Sequence, residues 1–184
     1  MILTDREIKA CLHHGQILID PQPAADRFSS TSVDLTLHDR VLVWRRGNLS
    51  AQSAVVRPGR PGYSYQQVRT DLTESVDIHA GCVLEPGDFV LGWTAETISL
   101  PSASRFAARV EGKSSLARLA LVVHMTAPTI HPGFQGQIQL EICNHGPLKI
   151  ELMPGMRICQ LVVEMVYGTP EAGYSGMFKG QTAE

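Results

Sequence analysis

The chain has 184 residues, 43% of them hydrophobic and 18% charged, with a formal net charge of -2. That length supports one domain with a real core, and the composition argues against long disorder. The charge gives no global bias toward nucleic acid or an anionic membrane, and no apolar run approaches a membrane span.

The first residues, "MILTDREIKA", mix both charges and lack an apolar core segment, so no secretory leader is expected and the reading is cytoplasmic. Thr4 and Glu7 have capping-box spacing: Thr4 can cap the Glu7 amide while Glu7 reaches back. Ile8, Cys11 and Leu12 follow at helical spacing and Gly15 can end the element, so a short N-terminal helix is predicted. The period then changes from helical to alternating. In "SVDLTL", Val33, Leu35 and Leu37 share one face and Asp34 and Thr36 the other. Residues 44–70 are polar, carry Arg45, Arg46, Arg57, Arg60 and Arg69, and hold no acid. A solvated loop or hairpin excursion is favoured there over a nucleic-acid arm, because the arginines are dispersed and aromatic residues few. "CVLEPGDFVLGW" reads as two strands flanking Pro86 and Gly87.

Next comes "EGKSSLAR", residues 111–118, which has the look of a phosphate loop. The pattern fails, because the first glycine of such a loop would fall at Ala107. A short helix starting near Ser114 is predicted instead, with Ser114 and Arg118 on one face. Its first turn and Lys113 offer an anion site; taken alone, the stretch is better read as a capped surface helix. In "GQIQLEIC", Ile138, Leu140 and Ile142 face one way and Gln137, Gln139 and Glu141 the other. A carboxylate, a hydroxyl and a guanidinium would converge if that polar face met the Ser114 helix. "LKIELMPGMRICQLVVEMV" gives two more strands flanking Pro154 and Gly155. Many short strands with Pro/Gly turns and few helices indicate a mostly β sandwich or barrel, in one domain over residues 1–184. Cys11, Cys82, Cys143 and Cys159 form no C-x-x-C pair, and the zinc deaminase signature is missing. Scattered cysteines of this kind read as small buried hydrophobes.

"GKSSLARLALVVHMTAPTIHPGFQGQIQLEICN" followed by "PGMRICQL" resembles the dCTP deaminases of the trimeric dUTPase superfamily. "MILTDREI", "STSVDLTL" and "LEPGDFVLGWTAETISLP" resemble the same family in the same order, so the likeness spans most of the chain and is weakest at residues 44–75. The resemblance implies a jelly-roll-like, distorted β-barrel of the dUTPase type, with a short N-terminal helix and one short internal helix. It implies a homotrimer with shared active sites. The reaction implied is zinc-independent deamination of dCTP to dUTP and ammonia, feeding dUMP and dTTP synthesis. Mg2+ would be carried by the triphosphate, and dTTP stands as a further candidate ligand. By the same resemblance Glu141 is the general base and acid, and Ser114 and Arg118 position base, water and glutamate. The Ala127 carbonyl orients the water. Lys113 and Ser115 touch the triphosphate, and the backbone of Gln139 and Leu140 reads the pyrimidine. Tyr174 and Gln181 belong to a C-terminal lid, about residues 168–184, expected to be loose without ligand.

Two positions depart from the family pattern. His131 stands where the family commonly has an aspartate meeting the sugar 3′-hydroxyl; it either bonds that hydroxyl through a ring nitrogen or is a turn residue only. Met177 stands where the family tail often has a lysine, leaving Lys179 as the nearest cation for the triphosphate. Beside the deaminase reading stand a bifunctional enzyme releasing dUMP and diphosphate, which His131 disfavours, and a catalytically weak nucleotide-binding regulator.

Overall fold

The alternating segments of the sequence become strands, and the Pro-Gly corners hand the chain from one sheet to another. The computed structural model describes residues 1–45, 55–102, 104–168 and 170–183. In chain order these fold as α1 (Asp5–His13), β1 (Leu18–Asp20), a 3-10 turn (Ala25–Arg27), β2 (Phe28–Ser29), β3 (Ser32–Thr36), β4 (Arg40–Trp44), α2 (Tyr65–Leu72), β5 (Thr73–Asp77), β6 (Cys82–Leu84), β7 (Phe89–Ser99), β8 (Phe106–Gly112), α3 (Ser114–Ala117), β9 (Leu121–Val122), β10 (Thr129–Ile130), β11 (Gln135–Asn144), β12 (Ile150–Leu152) and β13 (Arg157–Met165).

One sheet runs β5-β4-β7-β11-β9, with β1 also on β7; a second runs β10-β8-β13-β3-β2; β12 and β6 make a separate two-stranded ribbon. The architecture is mostly β, as the sequence indicated, and takes the form of a distorted sandwich that does not close into a barrel. The strands flanking Pro86-Gly87 part company: β6 pairs with β12, whereas β7 pairs with β4 and β11. Those flanking Pro154-Gly155 do the same, β13 joining β8 and β3. Val33 and Leu35 of β3, Leu140 and Ile142 of β11, and Leu161 and Val163 of β13 lie in one contiguous apolar core, sealed by Ile8 of α1. Burial of such side chains is the dominant favourable term, worth about 1.5–3 kcal/mol each.

The structure corrects several local expectations. The Thr4 hydroxyl donates to the Glu7 carboxylate rather than accepting from the Glu7 amide, so the reciprocal box does not form. That hydroxyl, helped by a backbone N–H, holds the Glu7 carboxyl below its usual range. Strand β3 is buried on both faces. Its Asp34 takes the Lys113 ammonium at 2.6 Å, and Thr36 donates to buried Glu96 through N–H at 2.9 Å and hydroxyl at 2.8 Å. Period-two patterning cannot distinguish a solvated polar face from one buried against charged partners. The polar stretch 44–70 contains a second internal helix, α2, with Ser64 as N-cap accepting from the Gln67 N–H at 3.3 Å. Arg46 and residues 47–54 of that stretch lie outside the described residues. The cysteines are free; Cys11, Cys143 and Cys159 are buried, Cys82 is half-buried, and burial pushes all four thiols up. They act as small hydrophobes here.

Candidate active site

β11 carries the site. Its inner edge pairs with β7 along nearly its whole length, from Gln135 opposite Ser99 to Cys143 opposite Phe89. A register shift between Gln137 and Gln139 interrupts the ladder, where the Thr94 hydroxyl accepts from the Ile138 N–H at 3.0 Å. Among the described residues the outer edge is covered at both ends only. β9 pairs with Cys143 and Asn144. At the other end the C-terminal tail lies along it: the Gln137 N–H donates to the Gln181 carbonyl at 3.0 Å and the Gly180 N–H to the Gln135 carbonyl at 2.6 Å. Between the two, residues 139 to 141 face a cavity of about 230 Å³. An uncovered strand edge offers unpaired main-chain donors and acceptors to a ligand.

The cavity brings together Ala127, His131, Gln139, Leu140, Glu141, Tyr174 and Gln181 from the predicted set. Alternation along β11 places the Leu140 side chain wholly in the core while Gln139 and Glu141 project to the other side, half-buried. One Glu141 oxygen, Oε2, accepts from the Met125 N–H at 3.2 Å, which ties the carboxylate to the loop bearing Ala127. His131 is a turn residue and a wall of the cavity at once; its ring stacks on Tyr174 with centroids 5.8 Å apart and planes 21° apart.

The tail lies over this wall. Besides the two main-chain bonds, the Gln181 amide donates to the Gln137 carbonyl at 2.8 Å and the Ala183 N–H to Gln137 Oε1 at 2.7 Å. Tyr174 anchors the near end through its N–H on the Pro132 carbonyl at 2.7 Å. Gly136 has φ +143, and a Cβ there would stand 2.7 Å from the Gln181 carbonyl oxygen. Only glycine accepts that backbone and the close crossing of the tail. Lys179 lines an adjoining cavity of about 250 Å³ with Tyr65, Arg69, Gln139, Met177 and Gln181. Gln139 and Gln181 border both spaces.

The remaining predicted residues lie elsewhere in the chain. Ser114, Ser115 and Arg118 are exposed on α3 and its C-cap and line neither cavity. The N-cap is Lys113 rather than Ser114, without a side-chain capping bond. The Lys113 ammonium is turned to Asp34 and is not directed at either space. A larger open groove of about 720 Å³ beside Trp44, Glu74, Cys82 and Val90 includes no predicted site residue.

Among the cavity residues that sequence reasoning passed over are Tyr65, His124 and Phe178. Ser64 followed by Tyr65, Val68 and Leu72 at i, i+3 and i+7 is a helix signal that would have placed Tyr65 on a packed face. Among the described residues no group of three or more His, Cys, Asp and Glu side chains gathers as a metal cage.

A strand-borne carboxylate thus lies in the wall of a small cavity, beside an open strand edge and under a folded-back tail. Residues 2–166 match the family model described as dCTP deaminase-like, and the chain belongs to that family. It is 38% identical over 175 residues to a dCTP deaminase of Rhodospirillum rubrum, covering 95% of this chain and 88% of that protein. It is 41% identical over 163 residues to a dUMP-forming dCTP deaminase of Halobacterium salinarum, covering 88% and 79%. Among solved structures, the 2'-deoxycytidine 5'-triphosphate deaminase of Agrobacterium tumefaciens superposes with a TM-score of 0.68 at 26% identity. That match covers 89% of this chain and 48% of the other, so this chain spans about half the length of the Agrobacterium protein. A dUTPase mutant of phage 80alpha shares the fold, with a TM-score of 0.51 at 13% identity over 88% of this chain and 97% of that one.

Proposed function

We propose that the protein is a hydrolytic dCTP deaminase, converting dCTP and water to dUTP and ammonia. The observation that carries this reading is Glu141 in the wall of the cavity that the open edge of β11 borders. Water is a weak nucleophile at neutral pH, so a base must take its proton. Glu141 takes that proton as the water oxygen bonds to C4 of the cytosine, and the Ala127 carbonyl orients the water by accepting a hydrogen bond from its other O–H. The carboxyl passes its proton to ring N3. The carboxylate then takes the proton of the C4 hydroxyl and passes it to the 4-amino group, the C4–N bond breaks, and ammonia leaves as the C4 carbonyl forms. A placed base of this kind supplies about 10²–10⁴ in rate, and the strand edge and tail supply orientation.

The cytosine lies against Gln139 and Leu140, the sugar toward His131, and the triphosphate, with its magnesium ion as part of the substrate, toward Lys179. Ser114, Ser115 and Arg118 are exposed in one chain and join the site from a neighbouring subunit of a homotrimer. This arrangement accounts for their distance from the cavity without removing them from the reaction.

A second reading, in which the dUTP goes on to dUMP and diphosphate, is favoured by the Halobacterium relative. His131, where an acidic residue would serve that step, stands against it. Incubation of the purified protein with dCTP and magnesium, following ammonia and separating nucleotides by chromatography, tests both. Stoichiometric ammonia with dUTP supports the first reading; dUMP supports the second; unchanged dCTP rules out both.

A further inference from the structure

We propose that Tyr65 is a positioning residue of the nucleotide site, acting through Gln139, whose side-chain amide it orients toward an acceptor oxygen of the nucleotide. This rests on the reading above. Tyr65 opens α2 and is half-buried between the sheet and the tail. Its hydroxyl donates to Gln139 Oε1 at 3.1 Å, and its ring meets the edge of Phe178 at 5.9 Å and 78°. A glutamine carboxamide presents an acceptor at one end and two donors at the other. With Oε1 held by Tyr65, Nε2 becomes the free end; it is buried and has no hydrogen-bond partner among the described residues. An unpaired buried donor is costly, and a bound oxygen removes that cost. Gln139 borders both the Glu141 cavity and the space beside Arg69 and Lys179, so Nε2 sits where the nucleoside and phosphate ends of a substrate join. Burial raises the Tyr65 phenol, the nearby Arg69 cation opposes this, and Glu141 adds to it, so the hydroxyl keeps its proton at neutral pH.

Tyr65→Phe removes the hydroxyl and keeps the ring on Phe178. Its KM for dCTP is expected to rise about five- to tenfold with kcat within about twofold of the parent, because a positioning bond to bound substrate is lost. In a Gln139→Ala background the same change is expected to add nothing, since its route is gone. Gln139→Glu keeps the acceptor for Tyr65 but loses both donors, and is expected to bind dCTP as weakly as Gln139→Ala. Equal binding losses for deoxycytidine and dCTP place the acceptor on the nucleoside; a loss for dCTP alone places it on the phosphates. A Tyr65→Phe effect that persists undiminished in the Gln139→Ala background overturns the proposal, as does wild-type affinity in Gln139→Glu. If the wild-type chain leaves dCTP untouched, the functional reading itself fails; an active wild type matched by Tyr65→Phe sinks only this inference.

Discussion

Replacing Gly136 with alanine should unlatch the tail from β11. The backbone there has φ +143, and the added Cβ would lie 2.7 Å from the Gln181 carbonyl oxygen and 3.0 Å from its nitrogen, both main-chain atoms that cannot rotate away. A non-glycine residue in such backbone costs about 1–3 kcal/mol. Against this the far end of the tail is held by four hydrogen bonds, two between main chains and two through the Gln181 and Gln137 side chains. At about 1 kcal/mol net each they total about 4 kcal/mol. Ordering the backbone of residues 178–183 costs about 1–2 kcal/mol per residue, more than these bonds supply, so docking also depends on the ring contacts of Tyr174 and Phe178. The contact of the added Cβ with the Gln181 main chain is released when the tail undocks, and overpacking of this kind, at about 1–3 kcal/mol, shifts the docked population by roughly ten- to a hundredfold. Hydrogen exchange at the Gln137, Gly180 and Ala183 amides reads this directly, and KM for dCTP should rise with it. Gly155→Ala is the control: φ is +74 there but the position is open, so it shares the backbone strain and leaves the tail alone. Unchanged protection in Gly136→Ala, or equal losses in both variants, would refute the reasoning.

Lys113→Ala is expected to lower stability by about 2 kcal/mol, a fall in Tm of about 4–8 °C, because among the described residues buried Asp34 then keeps only Gln160 at 3.2 Å and Arg157 at 3.6 Å. A variant with unchanged Tm and raised KM would return Lys113 to the triphosphate. Sedimentation is expected to give one species at three times the 20.1 kDa chain mass; an active monomer would contradict the shared site. Ser114→Ala and Glu141→Gln chains, each inactive alone, should regain about a quarter of wild-type activity when mixed and reassembled, since random trimers re-create intact shared sites. No recovery after verified subunit exchange would place both residues in one chain's site.

The strands were readable because burial on one face writes a period of two into the chain: Ile138, Leu140 and Ile142 are in the core and Glu141 is not. The Pro-Gly corners were readable as breaks, yet which strand pairs with which depends on contacts far apart in sequence. So β6 meets β12, and nothing local announces it. Gln137 shows the limit of alternation, since the register shift beside it and the docked tail bury a side chain that the pattern assigns to the polar face. Helix α2 was hidden by the Gly- and Pro-rich segment before it and by its polar surface. Its cap and Tyr65–Val68–Leu72 spacing mark it once that segment is set aside. Of the site, the half built on β11, the Ala127 loop and the tail meets within one chain. The predicted residues on α3 line neither cavity within one chain, and nothing local in their sequence says so.

The proposed chemistry stands on the Glu141 carboxylate taking a proton from water, and Glu141→Gln tests it most directly. The amide matches the carboxylate in size and keeps an oxygen for the Met125 N–H, but it cannot accept and return a proton. Ammonia release from dCTP and magnesium should fall at least about a hundredfold while calorimetry shows dCTP still bound. Turnover at the wild-type rate in that variant would contradict the account.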